Sequence, residues 1–269
     1  MKDKRILFVS SEVVPYLPET ELSSTAFNAA KNAHSKGVQT RIFMPRYGVI
    51  NERRHQLHEV IRLSGMNLVV NDMDMPLIIK VASIPKERMQ VYFIDNEEYF
   101  KRKAVVKDKK NKLFEDNDER AIFFAKGVVE TVKKLNWAPD VIHVHGWLAA
   151  LLPLYIKEFY KDEPLFTESK IITSLYHTNF EGTLNKELVE KVKFDNIDGA
   201  KLNNLTTASA VNMLKSAVEN SDGVILGSEE IDEELEAFIK EKEVAVLPFQ
   251  EENIKESYLN FYSELISEE

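Results

Sequence analysis

Short apolar runs recur along this chain, and most end in a polar or glycine-bearing corner that leads into a helical segment. Residues 5–10 read as a buried strand, because Ile6, Leu7, Phe8 and Val9 run together. Residues 22–36 read as a helix, with Ser23 or Ser24 available as its cap and Gly37 as its stop. The next strand spans 38–44. A strand–helix–strand unit of this kind opens a parallel sheet. Segments 68–70, 77–82 and 91–94 look like strands joined by short turns, punctuated by Asp72, Asp74 and Pro76. Asp116 opens a helix that runs to about Leu135, and Glu119 three residues on completes a capping box.

The alternation then continues. A strand over 140–144 ends in His145-Gly146-Trp147, and a helix is expected over 148–160. Strands follow at 170–176, 223–227 and 243–247, and a helix at 208–220. Ser228 is expected to cap the acidic helix that begins at Glu229. Residues 180–207 are polar and receive no assignment. A last helix over 251–266 carries Ile254, Tyr258, Phe261 and Leu265 on one face. The expected fold is therefore α/β: a single doubly wound, Rossmann-like parallel sheet with helices on both faces. Ligands of such sheets sit beyond the carboxyl ends of the strands. Glu12, His145-Gly146-Trp147, His177 and Ser228 each follow a strand directly, so this rule gathers them on one edge.

Several classes of function are disfavoured. The net charge of −9 opposes a nucleic-acid footprint, which needs concentrated positive charge. Residues 101–112 hold seven Lys or Arg, but Glu115, Asp116, Asp118 and Glu119 follow at once, so the stretch reads as a solvated loop. Without cysteine there is neither a disulfide nor a Cys-based metal site. No apolar run approaches the roughly 18 residues of a membrane span, and Ser10, Ser11 and Glu12 break the first one too early for a signal peptide. A cytoplasmic location without a membrane partner is expected. Nine glycines include no Gly-x-Gly-x-x-Gly, so no phosphate-cradling loop is present. His143 and His145 are read as facing opposite sides of their strand, and no metal or other cofactor is expected.

Two runs, Ile6-Leu7-Phe8-Val9-Ser10-Ser11-Glu12-Val13-Val14-Pro15-Tyr16 and Met44-Pro45-Arg46-Tyr47-Gly48, closely resemble the opening of bacterial glycogen and starch synthases. Other matches follow in the family's order. Tyr92-Phe93-Ile94-Asp95-Asn96 with Glu98-Tyr99-Phe100 resembles the segment before its basic loop. Asp116-Asn117 with Glu119-Arg120 and Phe123-Phe124 resembles its next helix. Asp140-Val141-Ile142-His143-Val144-His145-Gly146-Trp147 resembles its Asp-x-x-His-x-His-Asp-Trp. Val211-Asn212-Met213-Leu214-Lys215 and Ser228 fall at its later positions, and Tyr258-x-x-Phe261-Tyr262-x-x-Leu265 is similar to the helix that crosses back from its second domain. A generic amphipathic helix explains that last pattern equally well.

The resemblance implies one half of a GT-B fold, and by descent transfer of glucose from ADP-glucose to an α-glucan. It also implies a boundary: residues 1–249 as the N-terminal Rossmann domain, and 250–269 as a helix packing back on it, with the C-terminal donor domain lacking. Where the family has Lys-Thr-Gly-Gly, this chain has Pro18-Glu19-Thr20-Glu21. Proline offers neither a charge nor a backbone N–H, and two carboxylates repel a pyrophosphate. The family's Asp of His-Asp-Trp is Gly146, and its His-Asn pair is His177-Thr178.

His177 is thus a vestigial catalytic candidate, or a histidine bonded to a nearby backbone. Trp147 offers a sugar-stacking face, or a core ring that starts the next helix. Glu12 either caps a turn or meets an acceptor hydroxyl, and His145 completes the candidate sugar site. The implied ligand is an α-glucan or oligosaccharide; a protein partner or a second copy of the chain is left open. Three activities compete: a pseudoenzyme or interaction module, a subunit completed by another chain, and an enzyme acting on a different small substrate.

Overall fold

The computed structural model describes residues 1–177, 180–251 and 254–267. Strand β1 (Arg5–Ser10) leads through helix α1 (Glu21–Ser35) to β2 (Gln39–Pro45). After the short α2 (Glu52–His55) come β3 (His58–Glu59), β4 (Met66–Val70), β5 (Met73–Ser83) and β6 (Gln90–Asp95). The one-turn α3 (Glu97–Phe100) and the long α4 (Asn117–Leu135) precede β7 (Val141–His145). The second half runs α5 (Leu152–Leu154), β8 (Lys170–Leu175), α6 (Leu188–Lys193), α7 (Ala210–Glu219), β9 (Gly223–Leu226), α8 (Glu233–Lys242), β10 (Ala245–Leu247) and α9 (Ile254–Ser267).

Among the described residues the strands form one sheet in the order β10-β9-β8-β7-β1-β2-β6-β5-β3, with β4 paired to β5. From β10 to β6 every pairing is parallel. The strand order turns back on itself between β1 and β7, which is the topological switch point of a doubly wound sheet. Right-handed crossovers place α1 on one face and α4, α5 and α7 on the other. α9 joins α1, with which it is in direct contact. β1 and β7 are buried along almost their whole length, as strands covered on both faces must be.

The sheet is mostly parallel rather than wholly so. β5 runs antiparallel to β6, β3 and β4. The reason is connection length: only Asn71 and Asp72 separate β4 from β5, with Asn71 at φ 56°, and so short a link permits a hairpin but no parallel crossover.

Other local expectations change for identifiable reasons. The cap of α1 is Thr20, not Ser23 or Ser24: its hydroxyl accepts from the Ser23 N–H at 3.0 Å while the Ser23 hydroxyl accepts from the Thr20 N–H at 2.8 Å. Asp116 precedes α4 but makes no capping bond; its carboxylate takes the Arg102 guanidinium at 2.6 and 2.9 Å. Ser228 does not cap α8, which Asp232 caps instead. The helix expected over 148–160 is a succession of turns: 3-10 at Trp147–Ala149, α at Leu152–Leu154 and π at Tyr155–Phe159. His143 and His145 share one face of β7, since a pleated strand repeats every two residues, and their ring centres lie 3.9 Å apart.

In α9 the buried residues are Tyr258, Phe261, Tyr262 and Leu265, with Ile254 only partly covered. Glu252 and Asn253, in the expected start of this helix, lie outside the described residues. Phe261 and Leu265 approach β9 so closely that a Cβ on Gly223 would lie 2.8–3.1 Å from them. The Tyr262 hydroxyl and His143 Nδ1 are 2.8 Å apart. Burying four such side chains contributes roughly 1.5–3 kcal/mol each as an upper figure.

Candidate functional site

The carboxyl ends of β1 and β7 meet at the switch point, where the Ser11 N–H donates to the His145 carbonyl at 3.0 Å. Beyond β1 the Ser10 hydroxyl donates to the Glu12 carbonyl at 2.5 Å and accepts from its N–H at 3.2 Å, which turns the chain. The Glu12 carboxylate then accepts from the Thr20 hydroxyl at 3.1 Å. Burial pushes the Glu12 carboxyl above its ordinary value, and the Thr20 bond opposes that rise.

Glu12 and Trp147 line the same cavity of about 140 Å³, together with Tyr47, Lys107 and Phe180. Trp147 is 8% exposed and meets Phe180 edge to face at 4.7 Å. A second cavity of about 320 Å³ lies between Glu12, Thr20, Glu21, Leu22 and Tyr176. His145 lines neither. It is fully buried, with Nδ1 2.7 Å from the Tyr176 hydroxyl and Nε2 without a hydrogen-bond partner. Burial pushes its imidazolium pKa down to about 3. His143 is also driven well below its ordinary value, by burial first and by His145 second. Both rings are therefore neutral near pH 7, and they hold Tyr262, Ser174 and Tyr176 in place.

His177 is exposed just beyond β8, and its backbone N–H donates to the Ser228 hydroxyl at 2.9 Å. The Ser228 hydroxyl in turn donates to the Glu21 carboxylate. This bridge fastens the start of α1 to the loops after β8 and β9. Thr178, the partner expected beside His177, lies outside the described residues, as does Asn179. The structure thus brings Glu12 and Trp147 into one cavity, sets His145 behind Tyr176 of the second cavity, and leaves His177 exposed beyond β8.

Gly146 has a conformational reason to be glycine. Its backbone sits at φ 84°, ψ 155°, a region open in practice only to glycine. A Cβ there would lie 2.0 Å from Ser11 Oγ and 2.9 Å from Leu22 Cδ1. The sequence treats this position as a lost aspartate; the structure shows a corner that excludes any side chain.

The N-terminus of α1 is capped by the chain itself. The Thr20 hydroxyl takes the Ser23 N–H of the first turn, and the Ser23 hydroxyl donates to the Pro18 carbonyl at 3.0 Å. Glu19 accepts from the Ser24 hydroxyl at 3.2 Å. A helix N-terminus attracts anions through free N–H groups; here Thr20 occupies one of them, and the carboxylates of Glu19 and Glu21 stand at the same turn. Sequence reading missed Tyr176, Tyr47, Tyr262 and the Glu21–Ser228 contact. Only the aromatic-rich runs around Tyr47 and Tyr262 gave any hint of them.

A doubly wound α/β domain with its polar corners gathered beyond a β1/β7 switch point is the class that these features define. By sequence the chain belongs to the starch synthase catalytic domain family, whose profile matches residues 5–245. It is 36% identical over 223 residues to a glycogen synthase of Chlorobium luteolum, covering 82% of this chain and 45% of that protein. A glycogen synthase of Chlorobaculum tepidum is 32% identical over 227 residues, or 84% and 46% of the two chains. The chain therefore spans under half the length of these relatives. Among solved structures, the catalytic domain of starch synthase IV from Arabidopsis thaliana, bound to ADP and acarbose, superposes with a TM-score of 0.76 at 16% identity, over 93% of this chain and 51% of that one. That likeness establishes the shared fold.

Proposed function

We propose that this chain is a glycogen- or starch-synthase-type domain that faces an α-glucan but does not itself transfer glucose from ADP-glucose. The observation that carries this reading is the capped, carboxylate-lined start of α1: Thr20 and Ser23 cap it, and Glu12 and Glu21 set two carboxylates at its rim. Glycosyl transfer from a sugar nucleotide needs positive charge or free N–H donors at the departing diphosphate. At an effective dielectric of 20, a carboxylate held about 4 Å from a phosphate charge costs roughly 4 kcal/mol. Solvent screening lowers that figure for Glu19 and Glu21, which are exposed. A neutral sugar is spared the cost altogether.

In this reading Glu12 offers an acceptor-hydroxyl contact, Trp147 an apolar wall for a glucosyl ring, and Tyr176 a hydroxyl positioned by His145. His177 remains as a rim group in place of a working catalytic one. The test is incorporation of radiolabelled glucose from ADP-glucose into glycogen by the purified chain. No incorporation above a His177→Ala control is expected; incorporation above it overturns the proposal.

A further inference from the structure

A second concave region lies away from the cleft and shares no lining residue with it. It is a groove of about 600 Å³ walled by Phe159, Tyr160 and Phe194, with Asn67 and Asn196 on its rim and Lys126 in its floor. Phe159 is 38% and Phe194 50% exposed. Exposed aromatic rings usually have freedom to move, yet Phe159 is fixed by its contacts and the backbone at Phe194 is anchored by its neighbour. Phe159 ends the π turn Tyr155–Phe159, which the Tyr160 N–H closes onto the Tyr155 carbonyl at 2.9 Å. Its ring meets Tyr160 edge to face at 4.7 Å, and Lys126 Nζ sits 4.9 Å from its centre. Phe194 directly precedes Asp195, whose two carboxylate oxygens are held by Lys126 Nζ at 2.5 Å and the Tyr155 hydroxyl at 2.7 Å.

The charges of the groove are all satisfied internally. Lys126 pairs with Asp195 and also donates to the Val69 carbonyl at 2.6 Å, and Glu130 pairs with Lys133 at 3.0 Å. No free charge remains to recruit an ionic ligand. What is presented is two aromatic walls, that of Phe159 held by its contacts, with exposed side-chain amides at the rim that both donate and accept. Sugar rings match this surface, because their C–H faces are apolar and their hydroxyls lie at the edges. The volume falls within the roughly 300–1,000 Å³ of small-ligand sites, and the fixed Phe159 wall lowers the ordering cost of binding.

We propose that this groove is a second, non-catalytic binding site for a neutral α-glucan chain, with Phe159 and Phe194 stacking on successive glucosyl units. The inference rests on the glucan specificity proposed above. The groove is walled by β4, α4, the turn at Phe159 and the segment after α6, and shares no lining residue with the cleft, so an extended glucan held there is held independently of it.

Affinity electrophoresis of the full chain through native gels containing glycogen tests it. The proteins compared are wild type, Trp147→Ala, Phe159→Ala/Phe194→Ala and Phe159→Tyr/Phe194→Tyr, with thermal melts to confirm folding. The double alanine variant should bind glycogen about tenfold more weakly, the scale of two aromatic contacts, while the double tyrosine variant and Trp147→Ala retain that component. Retardation lost in Trp147→Ala but unchanged in the double alanine variant overturns the groove and leaves the cleft reading standing. Loss in the double tyrosine variant as well as in the alanine one overturns the stacking. Absence of wild-type retardation overturns both glucan sites. A wild-type dimer that the double alanine variant dissociates, with retardation unchanged, makes the groove a contact between copies and overturns the proposal.

Discussion

At the carboxyl ends of β1 and β7, polar groups bond one another and leave only small cavities; in the groove, one aromatic ring from the crossover after β7 and one from the segment after α6 stand half-exposed above charges that are already paired. In the first region Thr20, Glu21 and Ser228 hold the rim shut, and Gly146 lets the two loops approach within van der Waals limits. In the second, the Lys126–Asp195–Tyr155 network spends its hydrogen bonds on rigidity and leaves the walls open to solvent. Polar groups that close on each other give up anion affinity. Aromatic groups that are fixed while uncovered keep a surface for an uncharged ligand.

The largest expected effect breaks the first region. Gly146→Asp, the change that writes the family's aspartate back, should destabilise the chain by roughly 2–6 kcal/mol, the sum of a forbidden backbone conformation and an overpacked contact. Urea unfolding measures this; an unchanged midpoint would show that the corner has room for a side chain.

Next is the tie beneath the cleft. Tyr262→Phe leaves buried His143 Nδ1 without its partner and should cost about 1–3 kcal/mol. A melting temperature equal to wild type would mean that α9 is held by its apolar face alone.

The histidine pair adds a pH dependence. Both folded-state pKa values lie below the ordinary 6.5, that of His145 at about 3. The unfolded chain therefore binds more protons below pH 6.5, and stability is lost as pH falls from 6.5 towards the folded values. Each histidine contributes a slope of up to about 1.4 kcal/mol per pH unit once its unfolded form is protonated. The Glu12 and Asp118 carboxyls, which burial pushes up, act with the opposite sign, so the informative quantity is a difference. Between pH 6.5 and 5, His145→Gln should show a shallower fall in stability than wild type. Parallel curves would refute the buried neutral assignment.

The smallest stability change comes at the rim. Glu21→Gln weakens the Ser228 contact and should cost about 0.5–1.5 kcal/mol by urea titration, while removing one carboxylate from the 320 Å³ cavity.

The two regions were unequally legible in the sequence. Parallel strands buried on both faces write continuous apolar runs, so β1, β2, β7 and β8 were readable, and the corners after them placed Glu12, Trp147 and His177 on one edge. Interactions between distant segments leave no local trace: Glu21 and Ser228 are 207 positions apart, and the groove draws on β4, the π turn and the segment after α6. The π turn was invisible because its composition is that of an ordinary helix. Thr20 was missed as a cap because Ser23, one turn on, is its reciprocal partner and carries the same chemistry. The assignment of His143 and His145 to opposite faces failed on geometry alone, since residues two apart on a strand share a face.

The capped, carboxylate-lined start of α1 is tested most directly by calorimetric titration of the wild-type chain with ADP and with maltoheptaose at low and high salt. No ADP binding is expected up to millimolar concentration, and a weak maltoheptaose isotherm that salt leaves unchanged. An ADP isotherm of micromolar strength that weakens with salt would contradict this expectation.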